Sequence, residues 1–187
     1  ENGCQGISYT YTEPTVFLEY AFDTGKLAHE VGFFNTFVTN GYMTREAVHT
    51  VAPVLDAATV DFKGGADPEF YKKFSAVPSV EPIFASLLEM KRHDIHVEIT
   101  DIVVPKIGDS MERIKELATW IRDGMGRDTV FHLLRFHPNF KMTDAVSTMF
   151  LGRVNPLAIL VISDNAKARL RSVASETLMR RCHFLSL

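Results

Sequence analysis

Up to Phe136 the chain repeats one pattern: a short run of β-branched, aromatic and apolar residues, then a longer segment with apolar residues at helical spacing. Strands that alternate with helices of ten or more residues form βαβ units. Each crossover helix returns the chain so that successive strands run parallel, and helices cover the sheet. The strand segments read as Ile7–Tyr11, Asn35–Thr39, Ala57–Phe62, His96–Val104 and Thr129–Phe136. A closed eight-stranded barrel typically takes ~250 residues, and this chain has 187. The pattern therefore predicts an α/β chain with a partial or truncated barrel, and an open doubly wound sheet is the structural alternative.

The helices carry their own signals. Pro14 opens the first, with Val16, Phe17, Tyr20, Ala21, Leu27, Ala28 and Val31 as its apolar positions, and Gly32 ends it as a C′ glycine does. Thr44 caps a helix through Val54. Asp67-Pro68 starts a short helical stretch, and Pro82–Arg92 is longer, with Ile83, Leu87, Leu88 and Met90 inward. Asp109 and Glu112 fit a capping box ahead of the stripe Met111, Ile114, Leu117 and Ile121. Near the C-terminus, Leu157–Ile162 reads as a strand and Asn165–Arg181 as a basic helix, both out of step with the preceding rhythm.

Composition narrows the classes of function. The chain has 20 basic and 23 acidic residues, a formal net charge of −3, which offers no electrostatic footprint for nucleic acid or an anionic membrane. No apolar run reaches the ~20 residues of a membrane span, and with no basic stretch followed by an apolar one at the start of the sequence no signal peptide is expected. Cys4 and Cys182 form neither a disulfide framework nor a closed metal site; they read as reduced, partly buried thiols in a cytoplasmic protein. Glu1-Asn2-Gly3 reads like the end of a helix, so the chain is expected to begin inside a larger protein.

In parallel α/β folds ligands bind at the carboxyl ends of the strands, so the polar residues there are the candidates. Glu13, between the first strand and the Pro14 helix, could accept from an ammonium or hydroxyl group, or could simply complement the helix N-terminus. Asn40-Gly41 could serve a turn or a ligand. Asp61 and Lys63 are two residues apart, so they share one face of a strand whose preceding residues are apolar; solvated charges are a poor explanation for them. His96, Glu98 and Thr100 share a face of the next strand and would line the barrel, while Val97 and Ile99 pack on helices. His93 reads as a surface residue. Arg135 and His137 share a face at the last strand end, where a guanidinium could hold a carboxylate and an imidazole a ribose. No glycine-rich phosphate loop, nucleophile elbow or metalloprotease pattern is present.

The strings YTYTEPT (9–15), FVTNGY (37–42), VDFKG (60–64), EITDIVVP (98–105) and RFHPNFKMTD (135–144) occur in this order. They resemble radical S-adenosylmethionine (radical SAM) enzymes, specifically the pyruvate formate-lyase activating enzyme-like group and its AmmeMemoRadiSam system branch. The resemblance runs from about Asn2 to Thr148; residues 149–187 look unlike the family. It implies a partial (β/α)6 TIM-like barrel with its first βα unit absent. It also implies S-adenosylmethionine and a [4Fe–4S] cluster as cofactors, and a 5′-deoxyadenosyl radical that abstracts hydrogen from a substrate. On this resemblance Glu13 holds the methionine amino group, Asn40 and Asp61 line the pocket, Lys63 binds the methionine carboxylate, and His137 lies near the ribose. Val38 stands where related activating enzymes place an acid at a cation site, so no cation is carried over.

The family's CxxxCxxC loop, whose thiolates bind three cluster irons, is expected upstream of residue 1, and neither Cys4 nor Cys182 corresponds to it. The fragment is then expected to contain no metal ligand and no catalytic residue of its own, the cluster belonging to the full-length protein. The expected partners are a small-molecule or protein substrate and the branch's two associated protein types, without nucleic acid or membrane. Two other readings stay open: a barrel lyase with Lys63 as a Schiff-base amine, and a ligand-binding remnant without turnover.

Overall fold

The computed structural model describes residues 3–139, 142–143 and 146–148, and the backbone of Leu157–Leu160. Five parallel strands form one sheet in sequence order: β1 (Gly6–Tyr9), β2 (Phe34–Thr39), β3 (Ala57–Lys63), β4 (His96–Val103) and β5 (Val130–Arg135). Helices α1 (Leu18–Glu30), α2 (Arg45–Val51), α4 (Glu81–Arg92) and α5 (Met111–Trp120) return the chain between them, and α3 (Pro68–Phe70) is a single turn after β3. This is the partial-barrel α/β architecture that the alternation of elements predicts. A sixth strand, β6 (Leu157–Leu160), pairs antiparallel with β5. It lies within the expected Leu157–Ile162 segment; the expected helix over Asn165–Arg181 lies outside the described residues.

The register separates two chemistries. On the helix side, Ala58, Val60 and Phe62 of β3 align with Val97, Ile99 and Asp101 of β4. Val60, Phe62, Ile99 and Phe131 have no solvent exposure at all, and burying side chains of this size stabilises the fold by roughly 1.5–3 kcal/mol each. Ile83, Leu87 and Met90 of α4 and Ile114 and Leu117 of α5 complete this core. On the other, open face, Asp61, Thr100 and His132 form one row across β3, β4 and β5. Thr59 and Glu98 lie one row below, and Lys63 with Ile102 one row above.

Buried polar groups fix the early units. Asn35 of β2 is 1% exposed. Its amide donates to the carbonyls of Gly25 (3.1 Å) and Val54 (3.0 Å), and its Oδ1 accepts from the Tyr9 hydroxyl (3.1 Å). Thr44 caps α2 as its sequence suggests, accepting from Ala47 N. The capping box at α5 is corrected by one position. Ser110 is the N-cap and accepts from Arg113 N, while the Asp109 carboxylate is taken by Lys106 N at 3.0 Å. The bridge between Val104 and Gly108 folds the preceding turn back, so Asp109 is used before the helix begins.

Candidate functional site

At the ends of β1 and β2, Glu13 is the connecting group. Its Oε1 accepts from the hydroxyls of Thr15 (2.9 Å) and Thr39 (2.5 Å), and its Oε2 accepts from Asn40 N (2.8 Å). The carboxylate thus starts the 3-10 turn at Pro14 and also fixes the exit of β2. Asn40 closes its own turn by accepting from Tyr42 N at 2.8 Å. Gly41 follows with φ +70°, where an added Cβ would sit 2.6 Å from Val60 Cγ1. Both helix-start and turn chemistry, the plainer uses of these residues, are therefore present.

At the ends of β3 and β4 the polar residues converge on the open face. Asp61 accepts a short hydrogen bond from the Thr100 hydroxyl. Lys63, half-buried two residues further along the same face, has its backbone N–H on the Tyr71 hydroxyl at 3.2 Å. Its ammonium has no hydrogen-bond or ion-pair partner among the described residues. A lysine end one row above Asp61 and Thr100, on the same face and paired with neither, is disposed to take an anionic group from outside the fold.

Below this row lies a carboxylate–imidazole cluster. Glu98 accepts from His132 Nε2 at 2.8 Å and lies 3.6 Å from His96 Nε2. The hydrogen bond from His132, then the nearby His96 imidazole, holds its carboxyl down at about 2. Glu98 is therefore committed to protein partners. His137, at the end of β5, is exposed. Arg135 is set apart from the other candidates: the register aligns it with Val103 on the helix side, opposite the face of Asp61 and Lys63. Its Nε is buried without a hydrogen-bond partner among the described residues. His93 is half-buried, and its Nε2 lies 3.4 Å from His49 Nδ1 on the outer helix layer.

Two residues outside the sequence candidates belong to this region. His132 shares the row of Asp61 and Thr100; its only sequence signal is a polar residue inside the apolar run of the fifth strand. Asp101 is fully buried on the helix side of β4. Its signal is an acid interrupting the apolar set Val97, Ile99 and Val103.

In a parallel α/β partial barrel, ligands bind at the carboxyl ends of the strands, where the polar residues of this chain gather. The family model of the radical SAM superfamily matches residues 1–121, and the chain belongs to that superfamily. It is 43% identical over 145 residues to the uncharacterized protein MJ0808 of Methanocaldococcus jannaschii, covering 78% of this chain and 42% of that protein. The chain thus spans less than half the length of this curated relative. Its fold is similar to a domain of pyruvate-formate lyase-activating enzyme from Bacteroides vulgatus, with TM-score 0.65, 19% identity, and 77% and 85% of the two chains covered. A radical SAM methyltransferase from Sphaerobacter thermophilus has TM-score 0.57 at 16% identity, covering 72% of this chain and 41% of that one. TYW1 with a lysine-pyruvate adduct bound has TM-score 0.53 at 17% identity, covering 76% and 45%.

The superfamily implies S-adenosylmethionine and an iron–sulfur cluster. The unpartnered Lys63 ammonium and the Asp61 carboxylate fit the two charged ends of an amino acid moiety. The cluster fits nothing in the described residues: these contain one cysteine, the exposed Cys4, and no group of three side chains able to hold a metal. No helix among the described residues is long and apolar enough to cross a membrane.

Proposed function

We propose that this chain is the S-adenosylmethionine-binding part of a radical SAM enzyme of the activating-enzyme type, in the AmmeMemoRadiSam branch. The observation that carries this reading is the unpartnered Lys63 ammonium beside Asp61 at the strand ends of a radical SAM barrel. Lys63 binds the methionine carboxylate, and a bare ammonium at the end of a half-buried strand loses less hydration on pairing than an exposed one. Asp61, fixed by Thr100, and Glu13, fixed by Thr39 and Asn40 N, supply negative charge for the amino group. Asn40 lines the pocket and His137 meets the ribose, while Glu98, held by His132, and Arg135, on the helix side, are left out of it. Bound S-adenosylmethionine supplies the sulfonium whose reductive cleavage gives the 5′-deoxyadenosyl radical. The [4Fe–4S] cluster required for that cleavage is assigned to a CxxxCxxC segment elsewhere in the full-length protein.

The proposed barrel unit runs to Thr148, with 149–187 divergent from the family. The proposed setting is the cytoplasm, with a small-molecule or protein substrate and the branch's associated proteins as partners. Calorimetric titration of the chain with S-adenosylmethionine tests the reading. Wild type should bind, and Lys63→Met should weaken binding at least tenfold; equal binding by the two removes the assignment. Borohydride trapping of a carbonyl compound at Lys63 would instead favour the Schiff-base lyase.

A further inference from the structure

Asp101 stands where the fold calls for a hydrophobe. It is fully buried, flanked along β4 by Ile99 and Val103 and across the sheet by Phe62 and Leu133. Both carboxylate oxygens point at a single donor, Gly65 N, at 2.9 and 3.0 Å. No cation pairs with it among the described residues. A buried carboxylate without an ion pair is costly, so its one contact calls for an explanation.

That contact holds the turn that leaves Lys63. Gly64, Gly65 and Ala66 are consecutive left-handed residues, with φ +60°, +67° and +58°. A non-glycine residue in this conformation brings its Cβ against the following carbonyl oxygen, and such a run needs outside support to persist. The turn is also pressed against α5: a Cβ on Gly65 would lie 2.9 Å from Arg113 Cβ and 3.0 Å from Ile114 N. Lys63 is therefore fixed from both sides. Tyr71 takes its own N–H, and Asp101 takes the N–H two residues on.

We infer that Asp101 is the positioning residue that locks the Lys63–Gly65 turn and so sets where the Lys63 ammonium meets an incoming carboxylate. The inference rests on the reading of Lys63 as a carboxylate-binding group. The charged and titratable groups around Asp101 are few. Lys63 of β3 attracts it, Tyr71 lies beyond the turn, Arg113 of α5 is engaged with Glu116 at 3.0 Å, and β5 contributes only Leu133. Burial pushes the Asp101 carboxyl up to about 7, against the pull of Gly65 N–H and Lys63.

The test compares the 187-residue chain as wild type, Asp101→Asn, Asp101→Leu and Lys63→Met. S-adenosylmethionine is the probe, and hydrogen exchange of the Gly65 amide is a second readout. Asp101→Leu should weaken binding at least tenfold and speed Gly65 exchange by a similar factor. Asp101→Asn, which keeps an acceptor, should bind within threefold of wild type. Lys63→Met should lose binding and leave Gly65 exchange unchanged. Should Asp101→Leu fail to fold, Asp101→Ala, which also removes the acceptor, takes its place in the same two measurements. Binding and Gly65 exchange like wild type in the variant that lacks the acceptor would overturn the Asp101 inference alone. Equal behaviour of wild type and Lys63→Met would instead remove the ligand reading beneath it.

Discussion

Replacing Glu98 by glutamine keeps the shape of the side chain and removes its charge. In the wild type the carboxylate takes the His132 Nε2 hydrogen bond at 2.8 Å, with His96 Nε2 at 3.6 Å, and its carboxyl is held at about 2 instead of 4.5. A depressed carboxyl contributes stability in full above its unfolded-state value near 4.5, and that stability is lost as pH falls toward 2. At ~1.36 kcal/mol per pH unit the displacement is worth on the order of 3 kcal/mol. The Glu98 side chain is 27% exposed, and solvent screening reduces the expected figure to about 2 kcal/mol. Urea unfolding of wild type and Glu98→Gln at intervals from pH 6 down to pH 3 measures the gap, with the slope m checked for constancy. The gap should be about 2 kcal/mol at pH 6 and should narrow steadily below pH 4.5. His132→Gln should remove most of it, because His132 is the largest cause of the displacement. A gap of the same size at pH 3 and pH 6, or no gap at either, would refute the assignment of a charged hydrogen-bonded cluster on the open face.

Two further outcomes bear on the fold. Asn35→Ala strips partners from the Tyr9 hydroxyl and from the Gly25 and Val54 carbonyls; it should cost about 3 kcal/mol or more in urea unfolding, and a loss below 1 kcal/mol would contradict its role as a buried tie. The Asp101 carboxyl, raised from 3.8 to about 7, gives the opposite pH dependence to Glu98. Its stability contribution is present below pH 4 and is lost as pH rises through 7, on the order of 4 kcal/mol in all. Relative to Asp101→Asn, wild type should therefore lose stability between pH 4 and pH 7, and parallel curves would count against the burial of an unpaired acid.

The element order was legible because each strand and helix announces itself locally. Apolar periodicity switches from two to about 3.6, and Thr44 or Gly32 marks a boundary. Asp61 and Lys63 were legible for the same reason: a two-residue spacing on a strand preserves the face whatever the strand packs against. What lay beyond the sequence was the lateral register. Arg135 and His137 are also two apart, but only the alignment with Val103 shows that Arg135 lies on the helix side. Asp101 went unseen because an acid interrupting the apolar set Val97, Ile99 and Val103 does not show its own burial; that comes from Phe62 and Leu133 on the neighbouring strands and from the Gly65 turn. His132 was missed because its importance is cross-strand: it acquires a partner only when β5 brings it beside Glu98. The one-residue error at α5 arose because Asp109 and Ser110 are both good caps, and the Val104–Gly108 bridge takes the first for itself.

Glu13 belongs to the connection after β1, yet its three contacts described above fall in two different units: Thr15 in its own, Thr39 and Asn40 in the next. That makes the first two βα units a single inheritable block. A chimera that grafted the 9–15 segment onto another half-barrel would arrive without the hydroxyl and amide that orient its acid. An insertion between α1 and β2 would be tolerated only if it left the exit of β2 in place. Shuffling of modules along this fold is thus constrained by a junction, and the smallest exchangeable piece at this end of the sheet is the pair.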